Sequence, residues 1–155
     1  MTELRLDKEW TLDYDGKQLP AVVPGDVTLD LWRNNIIDNP YFGMNHKNLH
    51  WIINRDFIYK TVFDVSDELF DEQEILLEFD SVDTYADIYL NGKYLGHTQN
   101  MFLKYTYSVK DVIKKRGNEL VVRMLSTGQV MDNIDTSGYY GVFNVKRLFM
   151  RKAQC

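Results

Sequence analysis

The chain has 155 residues and one cysteine, Cys155, at its last position, so no internal disulfide can brace it and stability must come from packing. It also lacks any run near the roughly 20 apolar residues of a membrane span. Met1-Thr2-Glu3-Leu4-Arg5-Leu6 has no apolar core of the kind a signal peptide needs. A soluble protein with no membrane partner is expected, with the cytoplasm as its compartment. Positive charge is in short supply as well. Lys and Arg number 18 against 23 Asp and Glu, a formal charge of −5, which argues against nucleic acid as a partner because phosphate backbones need a clustered basic surface. The one basic run, Lys114-Lys115-Arg116, precedes Gly117-Asn118 and reads as a solvated loop. No Gly-rich phosphate loop and no Gly-x-Ser-x-Gly elbow is present, which leaves nucleotide binding and serine hydrolysis unsupported. His46 and His50 lie four apart in a loop with no third ligand beside them, and His97 stands alone, so neither a metal nor another cofactor is expected.

Apolar residues are plentiful: 45% of the chain is hydrophobic and 14% aromatic, enough for the core of one domain over residues 1–155. Their period is mostly two. In the strand-like run 51–65, Phe57, Tyr59, Phe63 and Val65 share a face; Ile75, Leu77 and Phe79 alternate likewise, as do Ala86, Ile88 and Leu90. That last run ends at Asn91-Gly92, a two-residue hairpin signal, which makes 93–98 its antiparallel partner. Residues 105–108 and 120–125 read as further strands. Phe57, Phe63, Leu77, Phe79, Ile88, Leu90, Leu120 and Val122 are the expected core. Helix is scarce: Asp26 can cap a segment to about Asn34, and Ser66 a turn to Phe70. Residues 126–141, rich in Gly, Asp, Ser and Thr, are expected to form a loop. Short alternating strands joined by polar turns predict an all-β, two-sheet antiparallel β-sandwich with one or two short helices.

Three motifs carry more than fold class. They are Ala21-Val22-Val23-Pro24-Gly25-Asp26-Val27, then Asp38-Asn39-Pro40-Tyr41-Phe42-Gly43-Met44-Asn45, then the Arg-Lys-Ala-Gln that ends the run 147–154. Together with Ala86-Asp87-Ile88-Tyr89-Leu90-Asn91-Gly92 they resemble the first domain of glycoside hydrolase family 2, in its β-mannosidase-like branch. The resemblance implies a jelly-roll, galactose-binding-domain-like sandwich at the N-terminus of a larger retaining hydrolase. In that family the two catalytic carboxylates are glutamates of a later barrel, so it implies no catalytic residue here. In that branch a Gly-Trp-Asp-Trp segment follows Arg-Lys-Ala-Gln, and it would lie just past Cys155.

Retaining hydrolysis takes two carboxylates about 5 to 5.5 Å apart, and no such pair stands out among the acids. Asp26 reads as a helix cap and Asp38 as a turn former before Asn39-Pro40. By the resemblance, Asn45 is the substrate-proximal polar residue; its amide can both donate to and accept from sugar hydroxyls. Tyr41 and Phe42 are expected beside it, on a surface that meets the barrel domain or stacks on sugar. The implied partners are a β-mannoside and that barrel. The rival readings are a free-standing carbohydrate-binding module, a purely structural interaction domain, and the same domain of a β-galactosidase or β-glucuronidase.

Overall fold

In the computed structural model, residues 2–133 are described. The strands are β1 (Trp10–Tyr14), β2 (Lys17–Ala21), β3 (Phe57–Phe63), β4 (Leu76–Phe79), β5 (Ala86–Leu90), β6 (Lys93–Thr98), β7 (Tyr105–Ser108) and β8 (Asn118–Met124). Six of them form one antiparallel sheet in the order β2-β1-β3-β8-β5-β6, and β4 pairs with β7 in a second. Both two-residue hairpins follow the same chemistry. Asp15-Gly16 joins β1 to β2 with φ of 51° and 74°, and Asn91-Gly92 joins β5 to β6 with φ of 52° and 80°, the left-handed pair a type I′ turn requires.

Alternation places the core. Along β3 the inward Phe57, Tyr59 and Thr61 are buried, and along β8 Asn118, Leu120 and Val122. The register sets Ile88 of β5 opposite Val122, and Tyr59 of β3 opposite the same residue, so the three central strands present one continuous apolar face. The second sheet closes over the β6 end of this face. A Cβ on Gly96 would come within 2.6 Å of the Tyr107 ring, so glycine is what lets β6 and β7 approach so closely. Tyr107 and Phe79 meet edge to face across the β4–β7 pair at 6.2 Å.

Helices are more numerous than expected: α1 (Val27–Arg33), α2 (Asp67–Phe70) and α3 (Thr127–Asp132), with 3₁₀ turns over Asn45–Leu49 and Ile52–Asn54. Asp26 and Ser66 cap α1 and α2 as the sequence indicates, accepting from Leu29 N and Leu69 N. Four expectations need correction. The run 51–65 is strand only from Phe57, because Ile52–Asn54 closes a helical turn first. The segment 126–141 is not all loop: Ser126 caps α3 through Gln129 N and donates its hydroxyl to Ile53 O. Phe63, Leu77 and Phe79 are half-buried rather than buried, the last two because only two strands share the inner face of their sheet. The turn before Pro40 is made by Asn39, whose Oδ1 accepts from Tyr41 N at 2.9 Å, not by Asp38. The rest of 126–141, the run 147–154 and Cys155 lie outside the described residues.

Candidate functional site

A concave feature of the described surface lies between the end of α1 and the 3₁₀ turn Asn45–Leu49. It is a cleft of about 440 Å³. Its first wall is a helix terminus. Ile36 N donates to Leu31 O and Asn35 N to Trp32 O, both at 2.9 Å, while Asn35 takes a φ of 58°. That is a Schellman ending with asparagine in the left-handed position, and it turns Trp32, Asn35, Ile36 and Ile37 into the cleft. Asp38 and Asn39 continue the lining, and Asn45, Asn48, Leu49 and Trp51 supply the facing wall.

Two arrangements fix these walls, one buried and one half-exposed. Asp30, fully buried on α1, accepts from the Tyr59 hydroxyl of β3 at 3.0 Å, from Arg33 Nη1 at 3.1 Å and from Val22 N at 3.2 Å. This ties α1 to the central sheet and to the strap before it. Burial, and then the Asp30 carboxylate, push the Tyr59 phenol well above the usual tyrosine range, so it stays a proton donor. The strap passes close enough that a side chain on Gly25 would collide with Val22 O, which accounts for the glycine of Pro24-Gly25-Asp26. Opposite, the Trp51 ring lies 6.3 Å from Tyr14 and 6.4 Å from Phe57, and the Arg55 guanidinium sits 4.5 Å over Tyr14 while its Nη2 pairs with Asp15 at 2.6 Å.

Tyr41 and Phe42 stand at the tip of the intervening turn with 77% and 74% of their surface exposed, and Met44 beside them at 58%. This exposed apolar group is set by turn hydrogen bonds, Phe42 N to Asn39 O and Asn45 N to Phe42 O, both at 3.2 Å. Asn45 is half-buried and lines the cleft; its Nδ2 donates to Asn39 O at 2.9 Å. The structure therefore puts Tyr41 and Phe42 outside the core, on the loop whose far end is pinned by Asn45. Asp26 is committed to its cap. Asp38 is the one carboxylate of the cleft lining, where glycoside hydrolysis takes two. His46 and His50 are exposed, and His97 Nδ1 meets Asp87 Oδ1 at 2.9 Å. Among the described residues no group of three His, Cys, Asp or Glu side chains is placed to hold a metal ion.

Sequence reasoning missed Trp32, Asn35, Asn48 and Trp51 as site residues. The available signal was composition: asparagine recurs at 34, 35, 39, 45 and 48, between Trp32 and Trp51, in a stretch with no regular period.

The family model described as glycosyl hydrolase 2 galactose-binding domain-like matches residues 10–155. The chain belongs to that family. Among curated relatives, a probable β-mannosidase of Caenorhabditis elegans is 38% identical over 81% of this chain and 14% of its own length. β-Mannosidase B of Thermothelomyces thermophilus is 33% identical over 96% of this chain and 18% of its own. A solved β-D-mannosidase of Dictyoglomus thermophilum superimposes with a TM-score of 0.90 at 39% identity, covering 99% of this chain and 20% of that one. A Ruminococcus gnavus β-glucuronidase shares the fold more loosely, with a TM-score of 0.57 at 22% identity over 77% of this chain. The galactose-binding-like sandwich and the β-mannosidase kinship stand on these matches. The chain spans under a fifth of the length of the curated relatives named here.

Proposed function

We propose that this chain serves as the N-terminal, non-catalytic sandwich of a β-mannosidase-like glycoside hydrolase that removes terminal β-mannosyl residues by a retaining double displacement. The observation that carries the reading is the match to a solved β-mannosidase across 99% of the chain at 39% identity, against 22% for a β-glucuronidase. On this reading the acid/base and nucleophile reside in a barrel outside the matched segment, which agrees with a cleft that offers only Asp38. The domain's part is to pack Tyr41 and Phe42 against that barrel and to present Asn45 at the rim of the sugar pocket. An asparagine suits that position because its amide keeps both donor and acceptor capacity toward hydroxyls.

The test has two arms. The chain alone, assayed with chromogenic β-mannoside, β-galactoside and β-glucuronide, should turn over none of them; activity above buffer that an acidic substitution abolishes would overturn the reading. In an enzyme carrying this domain ahead of its barrel, Asn45→Ala should lower kcat/KM for β-mannosides by about ten-fold with unchanged Tm, as expected for one lost contact to the transition state. Wild-type kinetics for that variant would reduce Asn45 to a loop residue.

A further inference from the structure

The cleft is lined by two tryptophans and four asparagines, more than a rim contact at Asn45 alone would use. We propose that the cleft itself seats a single neutral pyranose ring, and that Asp38 makes it reject uronic acids. This rests on the carbohydrate-hydrolase reading and adds a site and a specificity to it. The volume of about 440 Å³ suits one small polar ligand. Trp51 offers a ring already packed against Tyr14 and Phe57, so little side-chain freedom is lost when a sugar stacks on it, and Trp32 provides the second apolar element. Asn35 and Asn48 are exposed amides that make no side-chain hydrogen bond to the described residues, which leaves their donors and acceptors for hydroxyls. Asn45, by contrast, already commits one of its two amide N–H groups to Asn39 O and keeps the other and its carbonyl oxygen.

Charge sets the specificity. No Lys, Arg or His lines the cleft, and Asp38 is its only ionisable side chain. A uronate entering it would bring its carboxylate toward Asp38 with no lining cation to offset the repulsion, whereas a neutral hexose feels no such field.

The experiment is a nitrogen-15 NMR titration of the 155-residue chain with methyl β-D-mannoside and, at matched ionic strength, with methyl β-D-glucuronide. The mannoside should produce saturable shifts at the Trp32 and Trp51 indole N–H groups and at the Asn35 and Asn48 side-chain amides. The glucuronide should bind at least ten-fold more weakly, and Asp38→Asn should narrow that gap to within about two-fold, the effect of removing one repulsive charge. Asn48→Ala, an exposed change that leaves the fold intact, should weaken the mannoside by about ten-fold. Absence of saturable shifts up to about 100 mM, or equal binding of both glycosides by the unsubstituted chain, would overturn the proposal. The kinetic role of Asn45 is read in the larger enzyme, so a silent cleft would leave that reading standing, and a failed Asn45 test would leave an occupied cleft unexplained by it.

Discussion

Strands β3, β8 and β5 and the segment 35–51 lie in one small domain but obey different rules. The strands bury every second side chain, with Ile88, Leu90 and Leu120 at or below 1% exposed. The segment buries none of its residues fully; Ile37 and Trp51 pack against the core near its ends, and between them it is held by an Asx turn at Asn39, the helix terminus at Asn35 and one amide bond from Asn45. Removing atoms from the first region leaves a cavity; removing them from the second uncovers water. The difference suits a scaffold whose sheet must not move and whose cleft must admit a ligand.

The largest expected effect is in the strands. Ile88→Ala should lower unfolding stability by about 2 to 5 kcal/mol, because the methylenes it loses face Val122 and Gly96 in a core that cannot collapse around the gap. Phe42→Ser, at 74% exposure, should shift it by less than about 0.5 kcal/mol. Chemical denaturation of both variants measures the contrast, and a large loss for Phe42→Ser would mean that the turn is packed after all.

Next comes a polar residue inside the same scaffold. Asn118 is fully buried: its Oδ1 accepts from Lys114 N at 2.8 Å and Asn91 Nδ2 at 2.9 Å, and its Nδ2 donates to Lys114 O at 2.6 Å. Asn91 thereby serves both its hairpin and the neighbouring strand, since its Oδ1 also accepts from Glu119 N. Asn118→Ala should cost about 3 kcal/mol by stranding several buried groups, and Asn91→Gly, which keeps the turn geometry, about 1 kcal/mol. Thermal melts of the two variants test whether the hairpin or the amide network carries the stability.

What could be read from the sequence follows the same division. The alternating runs at 57–65, 75–79 and 86–90 have a period, and a period survives any tertiary context that keeps one face dry; the inward residues were legible for that reason. The β1–β2 pair was harder. Asp15-Gly16 is as good a turn signal as Asn91-Gly92, but Lys17-Gln18-Leu19-Pro20-Ala21 shows little alternation because β2 is an edge strand with one neighbour. The cleft was legible only in part. Of its lining, Asn45 was singled out through the motif it sits in, while Tyr41 and Phe42 of the same motif lie outside the lining; Trp32 enters through the Schellman turn that ends α1 and Trp51 through ring contacts with Tyr14 and Phe57 that no local pattern encodes. Asp30, whose pairing with Tyr59 spans 29 positions, is of the same kind.

That pairing gives an intermediate effect with a pH signature. Because the Tyr59 phenol is held above its ordinary value in the folded chain, the unfolded chain loses its proton first. Above about pH 10 the unfolded state binds fewer protons than the folded one, so stability should fall with rising pH, by at most about 1.4 kcal/mol per pH unit for this group, and be unaffected by it below that range. Tyr59→Phe should cost about 1 to 2 kcal/mol at pH 7 and flatten the alkaline decline. The half-buried Tyr107 phenol, raised by burial, adds to the same decline, so the residual slope in Tyr59→Phe should shrink further in the double variant with Tyr107→Phe. Unfolding followed from pH 8 to 11 measures both, and a stability that rises across that range would refute the linkage.

The smallest expected effect falls at the hinge between the two regions, where α1 ends and the cleft begins. Asn35 holds a φ of 58° that L-residues other than Asn and Asp seldom take, and its backbone N–H closes the helix on Trp32 O. Asn35→Gly relieves the left-handed conformation but adds freedom to the unfolded chain, two terms of similar size and opposite sign, so stability should change by less than about 0.5 kcal/mol. Asn35→Val has no such compensation: a β-branched side chain at that φ should cost about 1 to 2 kcal/mol and loosen the terminus that presents Trp32 and Ile36. If valine were tolerated as well as glycine, the Schellman turn would not be what shapes the cleft wall. If both fold equally well but only glycine preserves the environment of the Trp32 indole N–H, backbone conformation here controls the site without controlling the fold, which is the separation between scaffold and cleft that the burial pattern predicts.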